Sequence, residues 1–192
     1  MKNKFDHFGL LAPFYERFIP PREPQKLLEL LSLSGGETLL DAGGGTGRLA
    51  QFLVGKAALV VIGDESMKML REAGAKEGLR PVCSFTEQMP FAGGSFERIM
   101  IVDALHHVGN QAYTAAELWR ILKPGGRLII EEPNIRTLRI KLVALAEKLA
   151  LMRSHFLAGD EIQGLFVPLG AVLQVVCEDT TVWVIVEKPH PA

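Results

Sequence analysis

Leu39-Leu40-Asp41-Ala42-Gly43-Gly44-Gly45-Thr46-Gly47-Arg48-Leu49 is the stretch that decides the fold of this chain. Thr38-Leu39-Leu40 reads as a short apolar strand, the glycines as a turn, and Arg48 to Val54 as a helix. Strand, glycine turn and helix in direct succession mark where an open α/β sheet binds a nucleotide-like ligand, at the carboxyl ends of its strands. A dinucleotide loop needs G-x-G-x-x-G. Counted from Gly43 and Gly45, its third glycine falls on Arg48; counted from Gly44, its second falls on Thr46. A phosphate-binding Walker loop ends in G-K-[ST], whereas Gly47 is followed by Arg48-Leu49. What fits is acid-x-G-x-G-x-G, from Asp41, Gly43, Gly45 and Gly47. A carboxylate there repels a phosphate and suits a cationic or amine-bearing ligand.

Outward from the loop the chain alternates strands and helices. Gln25 to Leu33 carries leucines at helical spacing and is stopped by Gly35-Gly36. Ala57 to Ile62 is a continuous apolar run, as in a strand buried on both faces. Ser66 is placed to cap a helix over Met67 to Ala75. Strands follow at Pro81 to Phe85 and Arg98 to Val102, then a helix from Gln111 to Leu122. Lys123-Pro124-Gly125-Gly126 reads as a turn into a strand at Arg127 to Glu131. Such alternation predicts βαβ units and a parallel sheet. After Pro133 come a long helix, Leu138 to Met152, and a β-hairpin of Val172 to Val176 and Val182 to Val186.

The 192 residues, 48% apolar and 22% charged, fit one folded domain and exclude a disordered chain. A net charge of −1 argues against a nucleic-acid partner held by a broad basic face. Cys83 and Cys177 form no disulfide framework and read as small apolar residues of a reducing compartment. The polar N-terminus lacks a signal-peptide core, and no uncharged apolar run is long enough to span a bilayer. The expected location is the cytoplasm, without membrane insertion. No metal is expected.

The chain resembles the class I S-adenosylmethionine-dependent methyltransferases, in the small-molecule group similar to ubiquinone/menaquinone-biosynthesis methyltransferases. Beyond the glycine loop, Gly63-Asp64-Glu65-Ser66-Met67-Lys68-Met69-Leu70 looks like that family's segment ending the second strand. Met89-Pro90-Phe91 followed by Ser95-Phe96-Glu97 looks like its L-P-F…S-F-D segment. Leu105-His106-His107 and Arg120-Ile121-Leu122-Lys123-Pro124-Gly125-Gly126-Arg127 match the approach to its fifth strand. The blocks keep the family's order over residues 36 to 133. The resemblance implies a Rossmann-like, doubly wound, mostly parallel seven-stranded sheet with an antiparallel last strand. It also implies S-adenosyl-L-methionine as cofactor and a small-molecule acceptor.

Carried over residue by residue, the resemblance gives Asp64 to the ribose hydroxyls and Asp41 to the methionine amino group, with Gly43, Gly45 and Gly47 as close-approach positions. Gly44, where the family often has cysteine, is expected to matter little. Structural alternatives stand beside these roles: Asp64 as a helix-N-terminal acid and Asp41 as a loop cap. Phe85-Thr86 falls where the family has an Asp and a small residue at the adenine. Phe85 cannot accept the adenine amino group, although Thr86 still offers its backbone N–H; Glu87, Gln88 or a water is the expected substitute. Asp103, His106 and His107 follow the fourth strand and face the reacting methyl in this fold. The histidines are the candidate general bases; their alternative is a buried core residue plus a helix-edge one. Glu97 reads as structural, and Glu131-Glu132 as rim acids.

Residues 1–35 are expected to form an N-terminal helical segment over the cofactor site, with Tyr15 near the cofactor or simply packing on the sheet. Residues 134–168 are expected to wall or cover the acceptor pocket. Leu138, Leu142, Leu145, Leu149 and Met152 form a stripe along their helix, with Arg136, Arg139, Lys141, Lys148 and Arg153 around it. A core-facing stripe, a lid favouring a hydrophobic acceptor, a membrane-surface helix and a dimer seam all fit this pattern. The functional expectation is methyl transfer from S-adenosylmethionine to a small molecule; the alternative is a non-catalytic domain that binds the same compound.

Overall fold

The computed structural model describes residues 24–149 and 154–191. Its seven-stranded sheet is built from β1 (Thr38–Ala42), β2 (Leu59–Asp64), β3 (Leu79–Cys83), β4 (Phe96–Val102), β5 (Leu122–Pro133), β6 (Val172–Glu178) and β7 (Thr181–Glu187). The spatial order is β3-β2-β1-β4-β5-β7-β6. The chain winds outward from β1 to β3 and returns to place β4 on the other side of β1. A crevice therefore opens where β1 and β4 diverge. Only β7 runs against its neighbours, antiparallel to β5 and β6. The expected sheet and its hairpin are both present.

Alternation along the strands divides the core in two. One face gathers Leu40, Ile99, Ile101, Leu128, Ile130 and Val184 under α3 (Gln111–Ile121) and α5 (Gly159–Gly164). The other gathers Leu39, Ile62, Met100 and Ile129 under α1 (Gln25–Leu31) and α2 (Met67–Gly74). Arg98 and Arg127 donate to the carbonyls of Leu31 and Leu30 at the end of α1, satisfying groups a helix leaves unpaired. Lys26, at the start of α1, pairs with Glu178 at the end of β6, 3.0 Å away. α1 therefore begins at the sheet's ligand-binding end and descends from it. Glu97 accepts from Thr38 N at 2.9 Å and pairs with Lys123, the structural role expected of it.

Several local readings change. The helix expected over Arg48 to Val54 is a 3-10 turn at Ala50–Leu53. Gly47 and Gly55, both at positive φ, bound this turn on either side. α1 stops at Ser32, which takes the left-handed conformation, before Gly35 is reached. Lys123 to Gly126 interrupts the register as a bulge inside β5: Phe96 pairs with Leu122, but Arg98 already pairs with Arg127. The stripe of α4 (Leu138–Leu149) does not face the core: Leu138, Leu142 and Leu145 are 74%, 60% and 54% exposed. Ile162 of α5 and Phe166, both buried, join the sheet's core instead. Cys83 and Cys177 are exposed rather than packed.

Candidate active site

The carboxyl ends of β1, β2 and β4 and the loop after β3 enclose a cavity of about 190 Å³. The glycine loop forms one wall. Gly43, Gly45 and Gly47 hold φ of +71°, +54° and +71°, a region that a Cβ disfavours. The alternate-glycine spacing thus has a backbone cause. Gly43 N donates to Gly63 O at 2.7 Å, tying the loop to β2. Gly44 matters more than its sequence suggests: a Cβ there would lie 2.5 Å from Asp41 Oδ2.

Asp41 is 3% exposed and lines the cavity. No hydrogen bond reaches its carboxylate among the described residues. Burial, then the Asp64 charge, pushes its pKa up to about 7, against the pull of Arg48. Asp64 closes β2: its Oδ2 accepts from Gly45 N at 2.9 Å and its Oδ1 from Ser66 N at 2.8 Å. Those bonds lock the loop to the start of α2, where Ser66 Oγ accepts from Met69 N as the expected cap. Each carboxylate oxygen of Asp64 thus accepts one backbone N–H. Glu65 is exposed.

After β3, Ser84, Phe85, Thr86 and Glu87 line the cavity. The Phe85 ring is 57% exposed. Thr86 Oγ1 lies 3.0 Å from Thr114 Oγ1, and Glu87 Oε1 accepts from Asn110 N at 2.9 Å. Ser84 Oγ is buried and has no hydrogen-bond partner among the described residues.

After β4, Asp103 lines the cavity at φ +50°, a conformation held by the surrounding structure. Its N–H donates to Glu131 O at 3.0 Å. Burial, then Glu132, raises its pKa. Burial, then Asp103, pushes Glu131 up to about 7. Glu132 turns inward, 2% exposed. It accepts from Ala104 N and Leu105 N at 3.1 and 2.8 Å, and its Oε2 lies 2.5 Å from His106 Nδ1. His106 is 4% exposed, stacks on Phe156 with ring centroids 4.4 Å apart, and lies away from the cavity. His107 does line the cavity, with Nδ1 3.2 Å from Ser154 Oγ. Burial, then His106, lowers its pKa to about 4, so its imidazole is neutral at pH 7.

The structure thus brings Asp41, Gly43, Gly45, Asp64, Phe85, Thr86, Asp103 and His107 to one cavity and keeps His106 out of it. Gly47 shapes the loop from beneath, and Tyr15 lies outside the described residues. Ser84 and Arg48 are cavity residues that the sequence had not assigned, and Glu87, a candidate substitute for the missing acid at the adenine, lines the cavity too. Arg48 was legible only as the residue that breaks the phosphate-loop motifs.

The doubly wound sheet, the antiparallel β7, the acid-led glycine loop and the acid ending β2 define a Rossmann-like nucleoside-binding fold of the methyltransferase type. The Methyltransferase domain family model matches residues 40–130, and together with the sheet this match supports a class I S-adenosylmethionine-dependent methyltransferase. A demethylmenaquinone methyltransferase of Mycolicibacterium vanbaalenii is 35% identical over 126 residues, covering 66% of this chain and 54% of that protein. Methyltransferase GfsG of Streptomyces halstedii is 32% identical over 123 residues, covering 60% and 44%. The chain spans about half the length of the curated relatives it matches. A SAM-dependent methyltransferase of Aquifex aeolicus shares the fold, with TM-score 0.72 and 18% identity over 95% of this chain and 98% of that one.

S-adenosylmethionine is the cofactor this class implies, and the cavity fits it. A buried carboxylate without a partner, Asp41, faces a space into which a ligand carrying a sulfonium and an ammonium group would bring positive charge. Among the described residues no helix is long and apolar enough to cross a membrane.

Proposed function

We propose that this chain transfers the methyl group of S-adenosylmethionine to a small-molecule acceptor. The observation that carries the reading is the unpartnered Asp41 carboxylate, buried beside a glycine loop that Asp64 pins in place. Asp64 would hold the ribose hydroxyls, Asp41 the amino group and Arg48 the carboxylate of the methionine moiety. The sulfonium supplies a methyl that needs little activation, so the protein's task is to align the acceptor and exclude water. Asp103 and His107 stand where the acceptor would enter. Burial raises the Asp103 carboxylate above its usual range and keeps the His107 imidazole neutral at pH 7, so either group could accept a proton there. His106 acts at one remove, through Glu132, by fixing the loop that carries Asp103.

Residues 134–168 are proposed as the acceptor lid. Ser154 and Phe156 already contact His107 and His106, and the apolar residues of α4 stand uncovered. A lid of that character favours a hydrophobic acceptor. The acidic cavity and net charge of −1 speak against a nucleic-acid acceptor, and two free cysteines fit the cytoplasm. The test is incubation of the pure protein with methyl-labelled cofactor and a metabolite extract. Label recovered in a small molecule, and lost with Asp64→Ala, supports methyl transfer. Cofactor binding with no label transferred would instead make this a binding domain.

A further inference from the structure

Resting on the cofactor reading above, we propose that the Ser84 hydroxyl receives the adenine amino group, with the Phe85 ring as an apolar wall of the base slot. Cys83, the last residue of β3, lies beside Asp64 in register, and Ser84 N donates to Asp64 O at 3.0 Å. The base of a nucleoside is joined directly to the ribose, so it lies against the loop next to the carboxylate that holds that ribose. Phe85 offers this loop no acceptor, and the Thr86 and Glu87 side chains are drawn toward the start of α3. Thr86 meets Thr114. Glu87 takes Asn110 N with one oxygen and lies 3.3 Å from Thr86 Oγ1 with the other. Ser84 lines the cavity, yet its Oγ is buried with no partner among the described residues. An orphaned buried hydroxyl is uncommon in a native fold and calls for a reason. A hydroxyl accepts as well as donates, and one χ1 rotation moves it between staggered positions, so Ser84 can turn to the base. The exposed Phe85 ring supplies a flat apolar surface beside it.

A neutral hydroxyl reads an amino group less strictly than a carboxylate does. Calorimetric titration tests this with two probes: S-adenosylhomocysteine, and its analogue bearing hydrogen in place of the 6-amino group. The wild type should prefer the amino compound by roughly 5-fold, the worth of one neutral hydrogen bond. Ser84→Ala should bring the two compounds within about two-fold, because either deletion removes the same bond. Phe85→Asp, which adds a charged acceptor, should widen the preference to roughly tens of fold. The preference is a ratio within one protein, so a partly unfolded variant does not distort it. Ser84→Ala retaining the wild-type preference, or a wild type binding both compounds equally, overturns the role of Ser84 and leaves the cofactor reading intact. A wild type that binds neither compound overturns both.

Discussion

Asp41→Asn isolates the most perturbed acid of the cavity. In the folded protein its pKa stands at about 7, against an ordinary 3.8. A raised folded-state pKa means that the folded protein holds the proton more tightly than the unfolded chain. The stabilisation this gives is fully present below the unfolded value and is lost as pH rises through the folded one. Between about pH 5.5 and about pH 8.5 the unfolded chain keeps the group ionised, while the folded protein releases its proton. That release should weaken the wild-type fold by about 2 kcal/mol over the interval. Asparagine does not titrate, so the variant lacks the slope. Glu131 titrates in the same direction but is present in both proteins and cancels. Urea unfolding of the ligand-free proteins at the two pH values measures the difference, with equal m-values showing that the same surface is exposed. The variant's stability relative to wild type should shift by about 2 kcal/mol in its favour on going to the higher pH. A relative stability that is the same at both values refutes the assignment of a buried, proton-holding Asp41.

The other expectations concern binding, stability and exchange. Asp64→Ala should weaken S-adenosylhomocysteine binding by roughly 1.5–3 kcal/mol, the loss of a charged acceptor; unchanged affinity by calorimetry removes Asp64 from the site. A cationic ligand favours the ionised Asp41, so affinity should climb with pH up to about 7, by at most roughly tenfold per unit. Titration in buffers of different ionisation enthalpy should then show protons released on binding. Glu132→Ala leaves His106 and two backbone N–H groups without their acceptor and should cost about 3–5 kcal/mol, read as a lowered Tm; a near-neutral effect contradicts the pairing. Residues 138–149 should exchange amide hydrogens fast in the empty protein and become protected with product bound. Protection equal to that of β1 without ligand makes α4 a fixed part of the fold.

The sheet was legible because its strands announce themselves locally. Ala57 to Ile62 is an apolar run because β2 is covered on both faces, and the hairpin of β6 and β7 shows as two valine-rich runs around Asp179. The glycine loop was legible because its spacing answers a backbone requirement: alternate residues at positive φ. What could not be read depended on distant partners. Arg48 to Val54 has helical composition but winds only a 3-10 turn at Ala50–Leu53. Leu138, Leu142 and Leu145 repeat as a buried stripe would, yet Ile162 of α5 and Phe166 join the sheet's core instead. His106 and His107 are adjacent in sequence and opposite in role, because Glu132, 26 residues downstream, draws only the first one inward. Ser84 gave no signal, since an unpartnered hydroxyl is defined by what surrounds it.

The most direct test of the account is calorimetric titration of the wild-type protein with S-adenosylhomocysteine and, separately, with NADH. The acid-led loop, the buried Asp41 and the pinned Asp64 predict a micromolar dissociation constant for the first, roughly −8 kcal/mol, and no binding of the second, whose pyrophosphate would meet the Asp41 carboxylate. NADH binding together with silence toward S-adenosylhomocysteine and S-adenosylmethionine would contradict the account.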